Sequence, residues 1–292
     1  MNLDYVYKVN HFCRPGETIS AGQMNVFCGG KGLNQSIAAA KSGAHVLHAG
    51  MIGKSGDMLL RFLRESNVDI SLCREVSTDQ GHAIIQVVPE GQNCIIVYGG
   101  TNGEISCDYI DYVFSCAKKG SFLMLQNEVS NVGYAIEHAK AAGLKAVLNV
   151  SPITEDILSA DFGSLDWLVV NEIECMAIAN AEDPYAAYNS LKRKYPNTGI
   201  LMTMGTNGSV CCKDGIEIKQ CAYPVSAVDT TAAGDTFVGC FIGCLAQGSA
   251  LEEAMEYAAM ASAISVTRNG AAPSIPERDE VCLCLKRVKS GK

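Results

Sequence analysis

The most informative stretch of the chain is Val228-Asp229-Thr230-Thr231-Ala232-Ala233-Gly234-Asp235-Thr236-Phe237. Its small residues, 232–234, lead directly into an apolar run, 237–245, that predicts a buried helix. The backbone N–H groups of residues 232–234 then lie at a helix N-terminus, where unpaired donors and the helix dipole bind anions. Helix capping alone requires one acidic or hydroxyl residue, whereas this stretch adds small residues and a second carboxylate, Asp229, upstream of Asp235. The stretch therefore predicts a phosphate site.

The chain fits neither of the two commoner phosphate-binding loops. Lys31 does not complete a G-x-x-x-x-G-K-[ST] loop, because Asn25 stands where the first glycine belongs and Gly32 follows the lysine. The sequence also contains no G-x-G-x-x-G run. P-loop and dinucleotide-binding enzymes are therefore disfavoured.

Outside this stretch, helical and apolar strand patterns alternate from Gly30 onward. Short buried strands are predicted at 46–51, 122–125, 146–150, 167–170 and 200–204. Strands separated by helices of this length predict parallel crossovers, with helices covering both faces of the sheet. We therefore expect an α/β fold of three layers with a mostly parallel sheet.

Two segments interrupt this alternation. Residues 4–9 and 18–27 have the pattern of extended chain, and two apolar runs, 83–88 and 94–98, flank the turn Pro89-Glu90-Gly91-Gln92-Asn93. We interpret these pieces as a small β-sheet lid over a ligand; the alternative is an edge hairpin that only extends the main sheet. The expected division is a discontinuous lid of residues 1–22 and 82–104, and an α/β substrate- and nucleotide-binding domain of residues 23–81 and 105–292.

The composition limits the class of protein and the kind of partner. Of 292 residues, 48% are hydrophobic and 18% are charged, which is typical of a globular chain. The net charge of −8 argues against nucleic acid and anionic membranes as partners. The longest apolar run, residues 237–246, is too short for a membrane span, and no export signal is found. The fourteen cysteines contain no C-x-x-C pair, so we expect reduced thiols and a cytoplasmic location.

Together with four further motifs, the stretch 229–237 resembles the signature of the ribokinase-like sugar kinases, the phosphofructokinase-B type. The other motifs are Gly29-Gly30-Lys31-Gly32-Leu33-Asn34-Gln35 on the sugar side, Asn171-Glu172-Ile173-Glu174, the nucleotide-loop stretch Thr203-Met204-Gly205-Thr206-Asn207-Gly208, and residues 267–276, which resemble the C-terminal segment of the ribokinase branch. Their order and spacing hold over nearly the whole chain, and five motifs together are highly specific.

The resemblance implies the ribokinase-like three-layer fold and ATP-dependent phosphorylation of a sugar's primary hydroxyl, with D-ribose giving ribose 5-phosphate as the expected reaction. Asp235 would accept the proton of the hydroxyl, and the amides of residues 232–234 would hold the migrating phosphoryl group. We expect the helix N-terminus to lower the pKa of Asp235. The alternatives are a kinase for another sugar or a nucleoside, and a catalytically silent protein that binds a sugar or nucleotide.

The same resemblance implies binding residues of four kinds. The residues expected to bind the sugar are Asn2, Asp4, Gly29, Gly30, Lys31, Asn34, Glu128 and Asp235. Those expected to bind ATP are Asn171, Thr203, Gly205, Gly208 and Gly234. Those expected to enclose K⁺ are Asp229, Thr231, Ser265, Arg268, Gly270 and Ser274. Asn171 and Glu174 are expected to bind Mg²⁺ through water, and the alternative for this pair is a capped helix N-terminus. The strand edges of the lid favour a homodimer.

One departure from the family pattern concerns the start of the sequence. In the family a buried apolar strand precedes the Asn-x-Asp pair, which is Asn2 and Asp4 here, whereas this sequence begins at Met1. Either the start codon is misassigned, or a central strand is lost and the backbone around the pair is exposed, which would favour the silent alternative. We expect in-frame DNA upstream of Met1 to encode a short Val/Ile-rich segment.

Overall fold

A computed structural model describes residues 1–291; residue 292, the last of the expected α/β segment, lies outside the described part. The α-helices of this part are α1 (Lys31–Lys41), α2 (Asp57–Glu65), α3 (Cys107–Cys116), α4 (Val132–Ala139), α5 (Glu155–Leu158), α6 (Glu172–Ala179), α7 (Pro184–Lys194), α8 (Ala233–Ala246), α9 (Leu251–Ser265) and α10 (Arg278–Lys289). The strands are β1 (Asn2–Lys8), β2 (Gln23–Gly29), β3 (Leu47–Ile52), β4 (Asp69–Glu75), β5 (His82–Val87), β6 (Asn93–Tyr98), β7 (Phe122–Gln126), β8 (Lys145–Asn149), β9 (Trp167–Asn171), β10 (Gly199–Thr203), β11 (Ser209–Lys213) and β12 (Ile216–Gln220).

The main sheet has six strands in the order β12-β11-β10-β9-β8-β7. Strands β7 to β10 are parallel and are joined by segments that contain helices, whereas β11 and β12 add to one edge as antiparallel strands. Side chains of β9 alternate between two apolar clusters, with Trp167 and Val169 in one and Leu168 and Val170 in the other. Because alternate side chains of a strand point to opposite faces, both faces of the sheet are covered, and the expected three-layer α/β fold is confirmed.

One part of the expected parallel sheet is separate from the rest. Strands β3 and β4 are parallel and form a sheet of two, hydrogen-bonded to each other and to no other described strand. Their register shifts between Leu47 and Ala49. Beyond the shift, the hydroxyl of Tyr109 accepts the N–H of Gly50 at 2.8 Å and donates to the carbonyl of Leu72 at 2.6 Å. The strands expected to form one sheet therefore lie in two sheets.

The small sheet has four strands in the order β2-β1-β5-β6. Its hairpin, β5 and β6, is closed by the predicted turn, in which the N–H of Val88 donates to the carbonyl of Gln92 at 3.1 Å. The hairpin pairs with β1 and not with the six-stranded sheet, so the alternative of an edge hairpin on the main sheet is wrong. Strand β2 pairs antiparallel with β1 over residues 23–29. The small sheet therefore continues past the boundary expected at residue 22, because the chain reverses after β1 and pairs with itself.

Helices α1 and α8 approach each other closely because α8 carries a glycine where the two helices cross. A Cβ atom on Gly239 would lie 2.4 Å from the carbonyl oxygen of Gln35, a separation that only glycine permits. The contact places Asn34 and Gln35 beside the first turn of α8, where Asp235 lies. Within residues 1–291, no helix combines the length and the apolar character that crossing a membrane requires.

Candidate active site

The predicted anion loop lies at the N-terminus of α8, as expected. Ala232 adopts the left-handed conformation (φ 59°), which turns the chain into the helix. Among residues 1–291, the N–H groups of Ala232, Gly234 and Asp235 have no hydrogen-bond acceptor. The N–H of Ala233 donates to the carbonyl of Thr230 at 3.2 Å, because the turn at Ala232 brings these two groups together. The loop therefore presents unpaired donors at the positive end of the helix dipole. Contrary to our expectation, the N–H of Ala233 is not among them, because it already donates to Thr230.

Asp235 lies in the first turn of α8 with only 8% of its surface exposed. One carboxylate oxygen accepts from the side-chain amide of Asn34 and the other from that of Gln35, both at 2.9 Å. Burial raises the pKa of Asp235 above its ordinary value, although Lys31 and the two amide donors act in the opposite direction. Our expectation of a lowered pKa is therefore wrong, because removal of the carboxylate from water outweighs the helix N-terminus. A raised pKa makes Asp235 a stronger base than a solvated aspartate.

The sugar-side motif stands next to Asp235 at the start of α1. The backbone N–H of Lys31 donates to a carboxylate oxygen of Glu128 at 3.0 Å, which joins the start of α1 to the segment after β7. The side chain of Asn34 is 4% exposed, and its oxygen has no hydrogen-bond donor within residues 1–291. A buried oxygen without a donor is costly, so this atom is suited to accept from a ligand hydroxyl.

The first strand of the small sheet completes this side of the site. A Cβ atom on Gly29 would lie 1.9 Å from a carboxylate oxygen of Asp4, so the two residues are in close contact. Burial and the nearby carboxylate of Glu128 raise the pKa of Asp4 to about 6. The side chain of Asn2 accepts from the amide of Asn102 at 2.7 Å, and a Cβ atom on Gly30 would lie 2.9 Å from the backbone nitrogen of Asn2. The structure therefore brings all the expected sugar-binding residues to one place.

The expected nucleotide residues lie at the carboxyl ends of β9 and β10, where Asn171 and Thr203 are paired in register. The Asn171 side chain accepts the N–H of Glu174 at 2.9 Å, and the Glu174 carboxylate accepts the N–H of Asn171 at 2.8 Å. This pair forms a capping box, which is the alternative that we considered for it. After β10, the N–H of Gly208 donates to the carbonyl of Gly205 at 3.1 Å and closes a tight loop before β11.

Asp229 joins the anion loop to the segment after α9. One of its carboxylate oxygens accepts from the N–H (2.9 Å) and hydroxyl (2.6 Å) of Thr231, and the other accepts from the N–H of Gly270 at 2.9 Å. Burial acts to raise the pKa of Asp229, but these hydrogen bonds outweigh it and hold the pKa below its usual value. Among the expected K⁺ ligands, Asp229, Thr231 and Gly270 are thus in direct contact.

The remaining three expected K⁺ ligands make local contacts around the end of α9. The carbonyl of Ser265 accepts the N–H of Arg268 at 3.1 Å, and the guanidinium of Arg268 pairs with Glu280. The hydroxyl of Ser274 donates to the carbonyl of Ala271 at 2.7 Å. Within residues 1–291, no group of three or more His, Cys, Asp or Glu side chains is arranged to hold a metal ion.

Sequence motifs alone do not identify three amides in the hydrogen-bonded network of Asp235, those of Gln35, Gln126 and Asn149. Gln35 belongs to the sugar-side motif, which implies no role for it, and Gln126 and Asn149 lie outside all five motifs. These two residues end the adjacent parallel strands β7 and β8, where they are paired in register. A polar residue at the carboxyl end of an otherwise apolar strand is the signal that identifies them, because α/β sites lie at that edge.

Comparison with known proteins shows the family to which this chain belongs. Residues 1–278 match the model of the pfkB family carbohydrate kinases. The chain is 33% identical to a ribokinase of Haemophilus influenzae, over 99% of this chain and 97% of that protein. It is also 33% identical to a deoxyribokinase of Salmonella typhi, over 95% of this chain and 94% of that protein.

Solved structures give the same result for the fold. A ribokinase of Thermotoga maritima has a TM-score of 0.86 at 34% identity, covering 98% of this chain and 96% of that chain. A ribokinase of Arabidopsis thaliana, solved in complex with ribose and ATP, has a TM-score of 0.85 at 28% identity with the same coverage. The three-layer fold, the sugar-side motif beside Asp235 and these matches over nearly the full chain agree. The chain belongs to the pfkB family of carbohydrate kinases, enzymes that transfer a phosphoryl group to an alcohol.

Proposed function

We propose that this protein is a ribokinase, which uses ATP to phosphorylate the primary hydroxyl of D-ribose to ribose 5-phosphate. The observation that carries the proposal is the buried carboxylate of Asp235, held by two amides and adjacent to the unpaired N–H of Gly234. Transfer of a phosphoryl group to an alcohol requires a base for the hydroxyl proton and a site for the phosphoryl oxygens, and here the two lie one residue apart. The ribokinase relatives, one of them solved with ribose and ATP, support ribose as the acceptor.

In the proposed reaction, the hydroxyl oxygen of the sugar attacks the γ-phosphorus of ATP while Asp235 takes the hydroxyl proton. The bond between that phosphorus and the bridging oxygen breaks, and its electron pair leaves with ADP. The unpaired N–H groups of Ala232 and Gly234, with the partly used one of Ala233, hold the phosphoryl oxygens during transfer. Phosphoryl transfer has a loose transition state, so these residues act mainly by positioning and charge stabilisation.

The sugar is held between the small sheet and the start of α1. The buried oxygen of Asn34 accepts one sugar hydroxyl, and the carboxylates of Asp4 and Glu128 accept others. Asn2 is fixed by Asn102, and the glycines Gly29 and Gly30 let the ring approach the backbone. The small sheet acts as a lid over this site, with residues 1–29 and 82–104 as its two parts and the remaining residues as the α/β domain.

Asn171, Thr203, Gly205 and Gly208 surround the nucleotide. The residues near β9 fit Mg²⁺ held through water, because Mg²⁺ keeps several waters and Glu174 has one carboxylate oxygen outside its capping box. When bound, Mg²⁺ neutralises charge on the phosphates of ATP. The hydrogen bonds of Asp229 hold Thr231 and Gly270 close to it, and oxygens of these three residues, with those of Ser265, Arg268 and Ser274, would enclose K⁺.

The lid sheet also supports the proposed homodimer. Strand β6 is an edge strand whose residues are exposed on both faces, including Ile95, Ile96 (61% exposed) and Val97. An exposed apolar edge strand is suited to pairing with a second copy. We expect sedimentation of the purified protein to show a dimer that Ile96→Lys dissociates. We also place the protein in the cytoplasm, and its fourteen free cysteines support a reducing compartment.

The experiment that tests the proposed function measures ADP release from ATP with a panel of acceptors. The panel contains D-ribose, 2-deoxyribose, fructose and a nucleoside, since the deoxyribokinase relative is as similar as the ribokinase relative. The highest kcat/KM is expected with D-ribose, and analysis of the product is expected to place the phosphate on the primary oxygen. A higher kcat/KM with another acceptor would overturn the choice of ribose. If the protein binds ribose but releases no ADP from ATP with any acceptor, it is a catalytically silent binding protein.

A further inference from the structure

Three side-chain amides outside the expected site form a continuous hydrogen-bonded chain that ends at Asp235. The amide nitrogen of Gln126 donates to the oxygen of Gln35 at 2.7 Å. The amide nitrogen of Gln35 donates to Asp235 at 2.9 Å and to the side-chain oxygen of Asn149 at 3.0 Å. Gln35 is 1% exposed, and these hydrogen bonds satisfy all the polar atoms of its side chain within the protein.

This chain permits only one orientation of the Gln35 amide. Its oxygen is occupied by the donor from Gln126, and its two N–H bonds are occupied by Asp235 and Asn149. The reversed amide would direct its oxygen at the carboxylate of Asp235 and its nitrogen at the nitrogen of Gln126. Both contacts would be repulsive, so the network itself specifies which end of Gln35 meets Asp235.

We propose that Gln35 is a positioning residue for phosphoryl transfer: its amide, held by Gln126 and Asn149, sets the direction of the Asp235 carboxylate toward the acceptor hydroxyl. The inference rests on the proposed function, and it concerns residues that need not touch either substrate. Asn34 holds the second carboxylate oxygen from the preceding residue of α1. The two neighbouring amides thus hold both oxygens of Asp235 from one helix, and the third group facing it is the ammonium of Lys31.

The arrangement has a physical reason in the burial of Asp235. Burial favours the protonated carboxyl group, whereas hydrogen-bond donors favour the carboxylate, and two donors on one rigid helix also hold that carboxylate in a single orientation. Precise placement of a base matters for rate because small displacements of reacting atoms are costly. Gln35 reaches Asp235 because the glycine at position 239 lets α1 and α8 approach closely.

The test compares Gln35→Met and Gln126→Met with the unchanged enzyme, using D-ribose and ATP. Methionine preserves the length of the side chain and removes its hydrogen bonds. For Gln35→Met we expect kcat to fall about 10- to 100-fold, the loss of one charge-assisted hydrogen bond, with the KM for ribose changed less than about 3-fold. The acidic limb of the pH profile of kcat should move to higher pH, because the loss of one donor to its carboxylate raises the pKa of Asp235 further. Gln126→Met should give a smaller change of the same kind, because it only frees the amide of Gln35 to rotate.

The matched control is Ser36→Ala, the next residue of α1, whose hydroxyl bonds to His48 outside the network. It should lower thermal stability without moving kcat or the pH profile. If Gln35→Met leaves kcat and its pH profile unchanged, or raises KM with kcat unchanged, the inference about Gln35 is wrong. The proposed function would be unaffected by this result. If Gln35→Met does not fold, Gln126→Met decides by the same criteria. Absence of ADP release by the unchanged enzyme with every acceptor would overturn the proposed function and this inference with it.

Discussion

Asp4 and Glu128 are two neighbouring carboxylates in one partly buried site, and neither forms a salt bridge within residues 1–291. Burial and the charge of Glu128 raise the pKa of Asp4 to about 6. Glu128 itself accepts the N–H of Lys31, so it is fixed at the entrance of α1. The two carboxylates therefore repel each other, and we expect hydroxyl donors of the proposed sugar substrate to reduce this repulsion when they bind.

The first prediction concerns Asp4 and pH. Because its pKa is raised in the folded state, protonation stabilises the fold at low pH, and this stability is lost as pH rises from about 4 through about 6. We expect Asp4→Asn to raise the free energy of unfolding at pH 7.5 by about 1–3 kcal/mol, with the difference disappearing near pH 4. Urea unfolding at the two pH values measures this difference in stability, with Asp79→Asn, an exposed carboxylate without a side-chain hydrogen bond within residues 1–291, as the control. Equal stability of Asp4→Asn and the unchanged protein at pH 7.5 would contradict the prediction.

The second prediction concerns the role of Asp235. Asp235→Asn is expected to lower kcat by about 10²- to 10⁴-fold, since the amide cannot accept the proton, while ribose binding is retained. Calorimetric titration of ribose and steady-state ADP release measure the two quantities. Asp279→Asn is a matched control, because this exposed carboxylate also lies in the first turn of a helix, α10. Turnover of Asp235→Asn at the rate of the unchanged enzyme would reject Asp235 as the base.

The third prediction concerns the contact between Gly29 and Asp4. A methyl group at position 29 would collide with the Asp4 carboxylate and displace it from the proposed sugar site. We expect Gly29→Ala to raise the KM for ribose at least about 10-fold, the equivalent of roughly 1.4 kcal/mol of lost binding. Gly103→Ala is the control, since open space surrounds that glycine and its φ is not positive. A KM within twofold of the unchanged enzyme would show that the site tolerates a displaced Asp4.

The fourth prediction concerns the left-handed residue of the anion loop. A non-glycine residue in this conformation costs about 1 kcal/mol or more, so Ala232→Gly is expected to stabilise the protein by about 0.5–1 kcal/mol while kcat stays within about twofold. Thermal unfolding measures the change in stability, and steady-state kinetics measures kcat. The opposite sign is expected for Ala177→Gly, an exposed position inside α6, where glycine costs about 1 kcal/mol. A lower melting temperature for Ala232→Gly would show that the left-handed conformation carries no strain here.

The fifth prediction concerns K⁺. Asp229→Ala removes the carboxylate that joins Thr231 to Gly270, so the anion loop loses its tie to the segment after α9. We expect the unchanged enzyme to be activated when K⁺ replaces Na⁺, and Asp229→Ala to lose both this activation and most of kcat. Initial rates at constant ionic strength in the two salts test it. Equal rates of the unchanged enzyme in both salts would remove K⁺ from the proposed function.

Much of the fold and part of the site could be predicted from the sequence because they depend on local patterns. The alternation of apolar strands and helices is a property of neighbouring residues, and it predicts the layers and the parallel strands β7 to β10. The small residues before α8 likewise predict free amides at a helix N-terminus. Pairing between strands far apart in the sequence could not be predicted from these local patterns. The separate sheet of β3 and β4, and the inclusion of β2 in the small sheet, depend on which strand edges come together in the folded chain.

The residue types at the site and their order are properties of the chain alone, including Asp235, the glycines of the sugar-side motif and the carboxylates of Asp4 and Glu128. The environment of these residues, in contrast, depends on how distant segments pack against one another. Burial of Asp235 reversed the direction expected for its pKa, and the turn at Ala232 used part of the Ala233 amide. The amides of Gln35, Gln126 and Asn149 meet because α1 crosses α8 and two strands end side by side. Desolvation and hydrogen bonding depend on atoms from distant parts of the chain, and local sequence does not specify which of these come into contact.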